Sequence, residues 1–253
     1  MEKYIVITGA GSGMGQATAI LFSENPEFRI ICIGRQAQKL EETKARMHQP
    51  EKHFFWSMDI TQEDAWKQHF TESKIPHIYA VFANAGVGGS NQYGGDDRWE
   101  EILHINLTGT YVTANNTLPF LEKDPRSHKH IVITSSCLAR FGVPGYSAYC
   151  TAKTGLLGLT RSLAVEWASK GILINAICPG RVETDMAITS VKRLSTFTGN
   201  TLEEELKIQK SLVPLNRFSE PMEIAHFVAY LISENQKSIT GQALDINNGS
   251  YMS

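Results

Sequence analysis

The sequence is poor in most of the features that would assign it to a special class. It holds only four cysteines, Cys32, Cys137, Cys150 and Cys178, scattered with no CxxC pair. Neither a disulfide framework nor a zinc site is signalled. Eight histidines are dispersed without a metal-ligand spacing such as HExxH, so no metal is expected. No run of about 18 apolar residues is present that could span a bilayer. An excess of one charge is missing too: 24 Lys and Arg stand against 26 Asp and Glu, a formal net charge of −2. Nothing in that balance asks for nucleic acid or a membrane surface as a partner. The densest basic stretch, Arg126 to His130, interleaves Ser127 and reads as a solvated connector in a loop. The chain opens at once on the strand-like Tyr4-Ile5-Val6-Ile7, without the longer apolar segment of a signal peptide, and a cytoplasmic protein is expected.

What is present is rhythm. The 253 residues, 42% hydrophobic and 20% charged, suffice for one substantial core, and residues 1–253 read as a single domain. No repeat, low-complexity tract or linker divides them. Short apolar runs alternate with longer amphipathic segments: Tyr4–Thr8 then Gly15–Ser23, Arg29–Ile33 then Ala37–Met47, Tyr79–Ala83 then Trp99–Leu121. The series continues with His130–Thr134, Tyr149–Ala168, Ile172–Ile177, Pro221–Ile232 and Ala243–Ile246. Strands alternating with helices in this way predict an α/β fold with a doubly wound parallel sheet, a three-layer α/β/α Rossmann fold. Runs such as Ile30-Ile31-Cys32-Ile33 are apolar throughout, as strands covered on both faces require. Residues 187–214 break the rhythm, being too long for an ordinary connection. Ile188, Val191 and Leu194 at spacing three suggest a short amphipathic helix there, in a segment read as a lid over a pocket.

Glycines mark the first connection. Thr8-Gly9-Ala10-Gly11-Ser12-Gly13-Met14-Gly15 follows a strand and runs into a helix that begins around Gly13. Glycines let the backbone turn tightly and approach a pyrophosphate, and the helix start offers free N–H groups and a positive dipole end. The second strand then selects the dinucleotide. Where NAD-binding folds carry an acidic side chain, this chain has Gly34 and then Arg35, which suits a 2′-phosphate and favours NADP(H) over NAD(H). Asp59, after the third strand, stands where its carboxylate can accept from an adenine amino group; capping of the following helix, by Asp59 or Thr61, is the competing reading.

Tyr149 and Lys153 lie four apart at the start of a helix, so their side chains share a face. An ammonium close to a phenol favours the phenolate, bringing a group that titrates near pH ~10 closer to acid/base work. Ser135-Ser136 ends a strand just upstream, and strand C-termini line the ligand crevice of such sheets.

With these residues in view, the chain resembles the short-chain dehydrogenase/reductase family, in its compact single-domain branch. Thr8-Gly9-x-x-x-Gly13-x-Gly15 matches the family's cofactor turn, and Ala83-Asn84-Ala85-Gly86 its structural motif after the fourth strand. Asn106, Ser136, Tyr149 and Lys153 fall at its four catalytic positions, and Cys178-Pro179-Gly180-Arg181-Val182-Glu183-Thr184 matches its Pro-Gly segment. The resemblance implies that Tyr149 protonates a carbonyl oxygen as hydride arrives and that Ser136 hydrogen-bonds that oxygen. Lys153 would bind the nicotinamide ribose, and the Asn106 main chain would hold a water linking Lys153 to solvent. Gly9, Gly11, Ser12, Gly13, Met14, Gly15, Asp59, Ile60, Asn84, Ala85, Gly86, Pro179, Gly180, Val182 and Thr184 are its implied cofactor contacts. Among these, Val182 and Thr184 would hold the nicotinamide carboxamide, and Asn84 more plainly braces the sheet; Thr108 and Gly109 read as structural. The Pro-Gly segment and the stretches from Val213 to Phe218 and Gly241 to Gly249 look most like polyketide and 3-oxoacyl ketoreductases. Between Gly86 and Trp99 the chain departs from both. An NADP(H)-dependent reductase of a ketone is expected, with a non-catalytic NADP-binding regulator on the same fold as the alternative. Val87, Leu138, Phe141, Pro144, Tyr146 and Met186 are candidates for an apolar pocket taking a medium-sized ketone. A homotetramer is implied by the resemblance, through the Trp99–Leu121 and Tyr149–Ala168 helices and the C-terminal strand.

Overall fold

The computed structural model describes residues 2–94, 96–123 and 127–252. Among them, β1 (Lys3–Thr8), β2 (Phe28–Gly34), β3 (Phe54–Ser57), β4 (Ala80–Ala83), β5 (Lys129–Thr134), β6 (Ile172–Pro179) and β7 (Ala243–Ile246) form one sheet. Every pairing is parallel, in the order β3-β2-β1-β4-β5-β6-β7. The chain winds outward from β1 to β3, returns to the other side of β1, and winds the opposite way. The crevice between the C-terminal ends of β1 and β4 is therefore the switch point at which such sheets bind ligands.

Strand alternation explains the two cores. Ile5 and Ile7 of β1 join Cys32, Phe82, Val132 and Ile177 on one face. Helices α1 (Gly13–Ser23) and α9 (Pro221–Leu231) cover that face with Phe22, Ile224, Val228 and Leu231. Val6 points the other way with Ile31, Ile33, Val81, Ile131 and Ile174. There α3 (Glu63–Ser73), α5 (Gly109–Leu121) and α6 (Ser147–Trp167) supply Trp66, Phe70, Val112, Leu156 and Leu163. Each such aliphatic or aromatic side chain, once fully buried, contributes about 1.5–3 kcal/mol. Burial on both faces is why the strands carry no polar alternation.

Several elements differ from the sequence expectations. Helix α2 (Ala37–Lys44) ends short of Met47, which turns inward so that its sulfur lies 3.9 Å from the Cys32 thiol. The segment Trp99–Leu121 is not one helix: α4 (Trp99–Leu103) passes into a π-helical turn, His104–Thr108, before α5 begins. The Gly109 N–H donates to the His104 carbonyl, a five-residue bond that marks the widened turn. Residues 187–214 hold two helices rather than one, most of α7 (Asp185–Thr198) and all of α8 (Leu202–Ser211). A capping box starts α8, with Thr201 Oγ1 accepting from the Glu204 N–H and the Glu204 carboxylate accepting from the Thr201 N–H.

The basic stretch needs the largest correction. Lys129 and His130 open β5 and are 2% and 1% exposed, so the chain is a core strand there and not a solvated connector; Arg126 lies outside the described residues. Pairing with β4 and β6 outweighs the local polarity. The Lys129 ammonium is satisfied by the Ser127 carbonyl and hydroxyl at 3.0 and 2.9 Å, whereas among the described residues His130 has a hydrogen-bond partner at neither ring nitrogen.

Candidate active site

The glycine turn joins β1 to α1 at the switch point. Gly9 and Gly13 have φ of +70° and +54°, conformations that L side chains rarely adopt. A β-carbon at Gly15 would stand 2.3 Å from the Gly9 carbonyl oxygen, so the helix can start this close to the strand only with glycine. No side chain caps the start of α1; Ser12 stands at the N-cap in extended geometry without such a bond. The first N–H groups of the helix are thereby left available, together with the positive end of its dipole.

Beside the turn lies a cavity of about 220 Å³ lined by Gly9, Gly11, Ser12, Arg35, Asp59, Ile60, Ala85 and Gly86 of the sequence-predicted set. Gly34, which stands in place of an acidic side chain, also lines it, as do Gln36, Lys39, Met58 and Ile105, which were not singled out from sequence. A signal for Lys39 existed, since it lies one helical turn after Arg35. Arg35 is exposed at the mouth. Asp59 is held below the ordinary carboxylate range: burial raises it, but hydrogen bonds from the Thr61 N–H and hydroxyl, at 2.9 and 2.8 Å, outweigh that. The helix-cap reading is not met, because Gln62 occupies the N-cap of α3 and Asp59 closes a turn on Thr61 instead.

Asn84 ties three strands together. Its Nδ2 donates to the Thr8 carbonyl, and its Oδ1 accepts from the Thr134 hydroxyl. Thr8 Oγ1 in turn accepts from the N–H groups of Asn84 and Ala85, both at 2.9 Å. Asn106 sits in the π turn and is fully engaged. Its Nδ2 donates to the Val87 and Ile102 carbonyls at 2.9 Å each, and its Oδ1 accepts from the Val87 N–H at 3.2 Å. Gly86 lets these groups meet, since a β-carbon there would lie 2.4 Å from Asn106 Oδ1 and 3.6 Å from Lys153 Nζ.

Ser136, Tyr149 and Lys153 converge next to this point. Ser136 Oγ accepts from the Leu138 N–H at 3.1 Å, which leaves the hydroxyl hydrogen free to bond the Tyr149 phenol. Lys153 Nζ donates to the Thr134 carbonyl at 2.8 Å and stands 5.5 Å from the centre of the Tyr149 ring. The electrostatics run against the sequence expectation. Burial pushes the Tyr149 phenol up to about 12, the Ser136 hydroxyl only partly offsetting it. Burial likewise lowers the Lys153 ammonium to about 8. Desolvation is the largest cause of both shifts.

The Pro-Gly segment closes the far side. Gly180 packs against Asn247, where a β-carbon would be 3.0 Å from backbone. Val182 bridges Ser219. Thr184 caps α7 by accepting from the Ala187 N–H, and its methyl comes within 2.9 Å of where a Gly13 β-carbon would be. Met14 packs at the edge of the α1 core rather than on the cavity. Of the pocket candidates, Val87 packs against the cluster of Ile102, Ala148 and Ala152 that Tyr149 also packs against, Met186 reaches Gly88, and Tyr146 meets Ser190 at 3.4 Å. Phe141 instead stacks on Tyr251, and Pro144 is exposed.

Residues 3–194 match the family model described as short chain dehydrogenase. The chain belongs to that family. This short-chain dehydrogenase is 33% identical to the 3-oxoacyl-(acyl-carrier-protein) reductase of Aquifex aeolicus, over 98% of this chain and 97% of the relative. Its structure superimposes on actinorhodin polyketide ketoreductase crystallised with NADPH at a TM-score of 0.91 and 27% identity, over 98% and 97% of the two chains. Levodione reductase gives a TM-score of 0.88 and 28% identity, over 98% and 96%. The short-chain dehydrogenase described here is accordingly an NAD(P)-dependent oxidoreductase acting on CH–OH and carbonyl groups. No helix is long and apolar enough to cross a membrane among the described residues.

Proposed function

We propose that this enzyme reduces a ketone of the 3-oxoacyl or polyketide type, or oxidises the matching secondary alcohol, with NADP(H) as cofactor. One observation carries the proposal: a phenol and a hydroxyl stand with an ammonium that reaches Gly86, in the wall of a glycine-lined cavity on the switch point of the sheet. The cavity suits a dinucleotide, because Gly9, Gly13 and Gly15 leave no room for a side chain where the turn meets it and the start of α1 carries no cap. A nicotinamide cofactor, when bound, supplies or accepts the hydride.

The chain's own groups manage the proton. Tyr149, neutral across the working pH range, is the donor to the carbonyl oxygen. Ser136, its lone pair occupied by Leu138, gives a second hydrogen bond to the same oxygen. Lys153 spends one of its three donors on Thr134 and keeps the others for a ribose hydroxyl. In the alcohol-oxidising direction its charge favours the phenolate. Asn106 fixes the loop after β4 through its side chain, and its main-chain oxygen, which accepts from Thr110 at 2.7 Å, is the proposed anchor for a water on the proton path. Arg35 and Lys39 at the cavity mouth support the NADP preference.

Residues 187–214 are proposed as the lid of one catalytic domain, and Tyr111 and Val165, exposed on α5 and α6, together with β7, as parts of tetramer interfaces of a cytoplasmic protein. A ketone panel followed by NADPH absorbance, run beside NADH, tests the central reading. Turnover with NADPH favoured at least about tenfold is expected, a difference near 1.4 kcal/mol. A comparable preference for NADH would remove the Arg35 argument.

A further inference from the structure

The loop after β4 runs outward from the phenol and meets charge. Val87 and Tyr149 pack against the same buried cluster of Ile102, Ala148 and Ala152. A β-carbon on Gly88 would be 2.8 Å from the Met186 sulfur, and one on Gly89 would be 2.6 Å from Arg98 Nη1 and 3.4 Å from Arg193 Nη1. Two guanidiniums, one from the start of α4 and one from α7, therefore close on a single backbone point. That point lies only two residues beyond Val87, at most ~7 Å of extended chain. Asn91 pins the loop there, its side-chain Oδ1 accepting from the Ala148 N–H at 2.9 Å and its main-chain N–H donating to the Gly145 carbonyl at 2.8 Å.

The two arginines are not equivalent. Arg98 is neutralised by Glu101, its Nε donating at 2.7 Å and its Nη2 at 3.2 Å, while its Nη1 holds the Gly88 carbonyl. Arg193 has no ion pair or hydrogen bond among the described residues, and α7 carries no carboxylate other than Asp185, which faces Lys39. Like charges brought together with one left uncompensated form a seat for an anion, and a planar guanidinium with free donors matches a carboxylate or phosphate.

We propose that Arg193, supported by Arg98, grips an oxyanion at the far end of the substrate, so that the natural substrate is a ketone whose tail ends in a carboxylate or phosphate. This rests on the ketoreductase reading above and names the substrate class for it. The apolar stretch from Val87 to Met186 would hold the carbon chain between the carbonyl and the charge.

The test pairs substrates that differ only in the tail. 6-Oxoheptanoate is compared with its methyl ester for the carboxylate, and the 3-oxobutanoyl thioester of phosphopantetheine with that of pantetheine for the phosphate. The native enzyme is expected to favour the anionic member of at least one pair about tenfold in kcat/KM, through KM, with the advantage shrinking at about 0.5 M salt. Arg193→Gln should cut that anion-over-neutral ratio about tenfold, and Arg193→Lys should keep part of it. Equal use of both members by the native enzyme, or an unchanged ratio in Arg193→Gln, would overturn the clamp while leaving the reductase reading intact. No turnover of any ketone, charged or neutral, would overturn both.

Discussion

The two ends of the sheet bury polar groups on opposite terms. At the C-terminal rim Asn106 and Lys153 are 1% and 4% exposed, and each is held by protein partners: Val87 and Ile102 for the amide, Thr134 for the ammonium. At the N-terminal rim His130 is as deeply buried, yet neither nitrogen has a partner among the described residues. Its ring meets Tyr79 edge-on at 5.6 Å, and the Tyr79 hydroxyl is spent on the Ile232 carbonyl. An unpartnered polar group costs stability and directs nothing. Depth of burial alone therefore does not mark a site. What marks one is a buried group aimed by some of its bonds and left with donors to spare.

The comparison can be broken from the lower end first, where the larger effect is expected. Burial holds His130 at about 4, below its ordinary 6.5. The unfolded chain consequently binds more protons between those values, so the stability linked to this group is present above about pH 6.5 and lost as pH falls toward 4. Replacing His130 with Leu should raise stability by about 2 kcal/mol more at pH 5 than at pH 8, measured by denaturant unfolding at both. A gain independent of pH would mean that the ring is not forced neutral.

The upper end offers a smaller test. Burial lowers Lys153 from 10.5 to about 8, so the unfolded chain holds the extra proton between those values and stability rises with pH across that window. Lys153→Met removes the buried charge. In thermal melts it is expected to gain roughly 2–4 °C at pH 7, the desolvation penalty there exceeding the lost bond to Thr134 by about 1 kcal/mol, and to lose that gain by pH ~10.5. A lower melting point at pH 7 would show that the bond to Thr134 outweighs the desolvation.

Much of this was legible in the sequence, for a physical reason. Strands buried on both faces must be apolar along their length, so β1, β2, β5 and β6 announced themselves in Ile5-Val6-Ile7 and its counterparts. The short β3 was legible only as the strand that precedes Asp59, without bounds, because Phe54-Phe55-Trp56-Ser57 gains its strand identity from pairing with β2. The glycine turn and the Tyr149 and Lys153 spacing were readable because each chemistry tolerates few residue types. The π turn at Asn106 was not, since the bonding that widens a helix leaves no mark in periodicity. Two further signals were present but passed over, the Thr201 and Glu204 capping box of α8 and the Lys39 that follows Arg35 by one turn. The direction of the Tyr149 shift was beyond reach, because spacing shows that an ammonium is near and says nothing of how much water both groups have lost.

The central claim is that the Tyr149 hydroxyl carries the proton. The most direct measurement is steady-state turnover of Tyr149→Phe on whichever ketone the native enzyme reduces, with cofactor binding followed separately by fluorescence. A loss of at least 10²-fold in kcat, on the order of what positioned acid catalysis contributes, with cofactor affinity retained, is the expected result. Native-like turnover by the phenylalanine variant would contradict it.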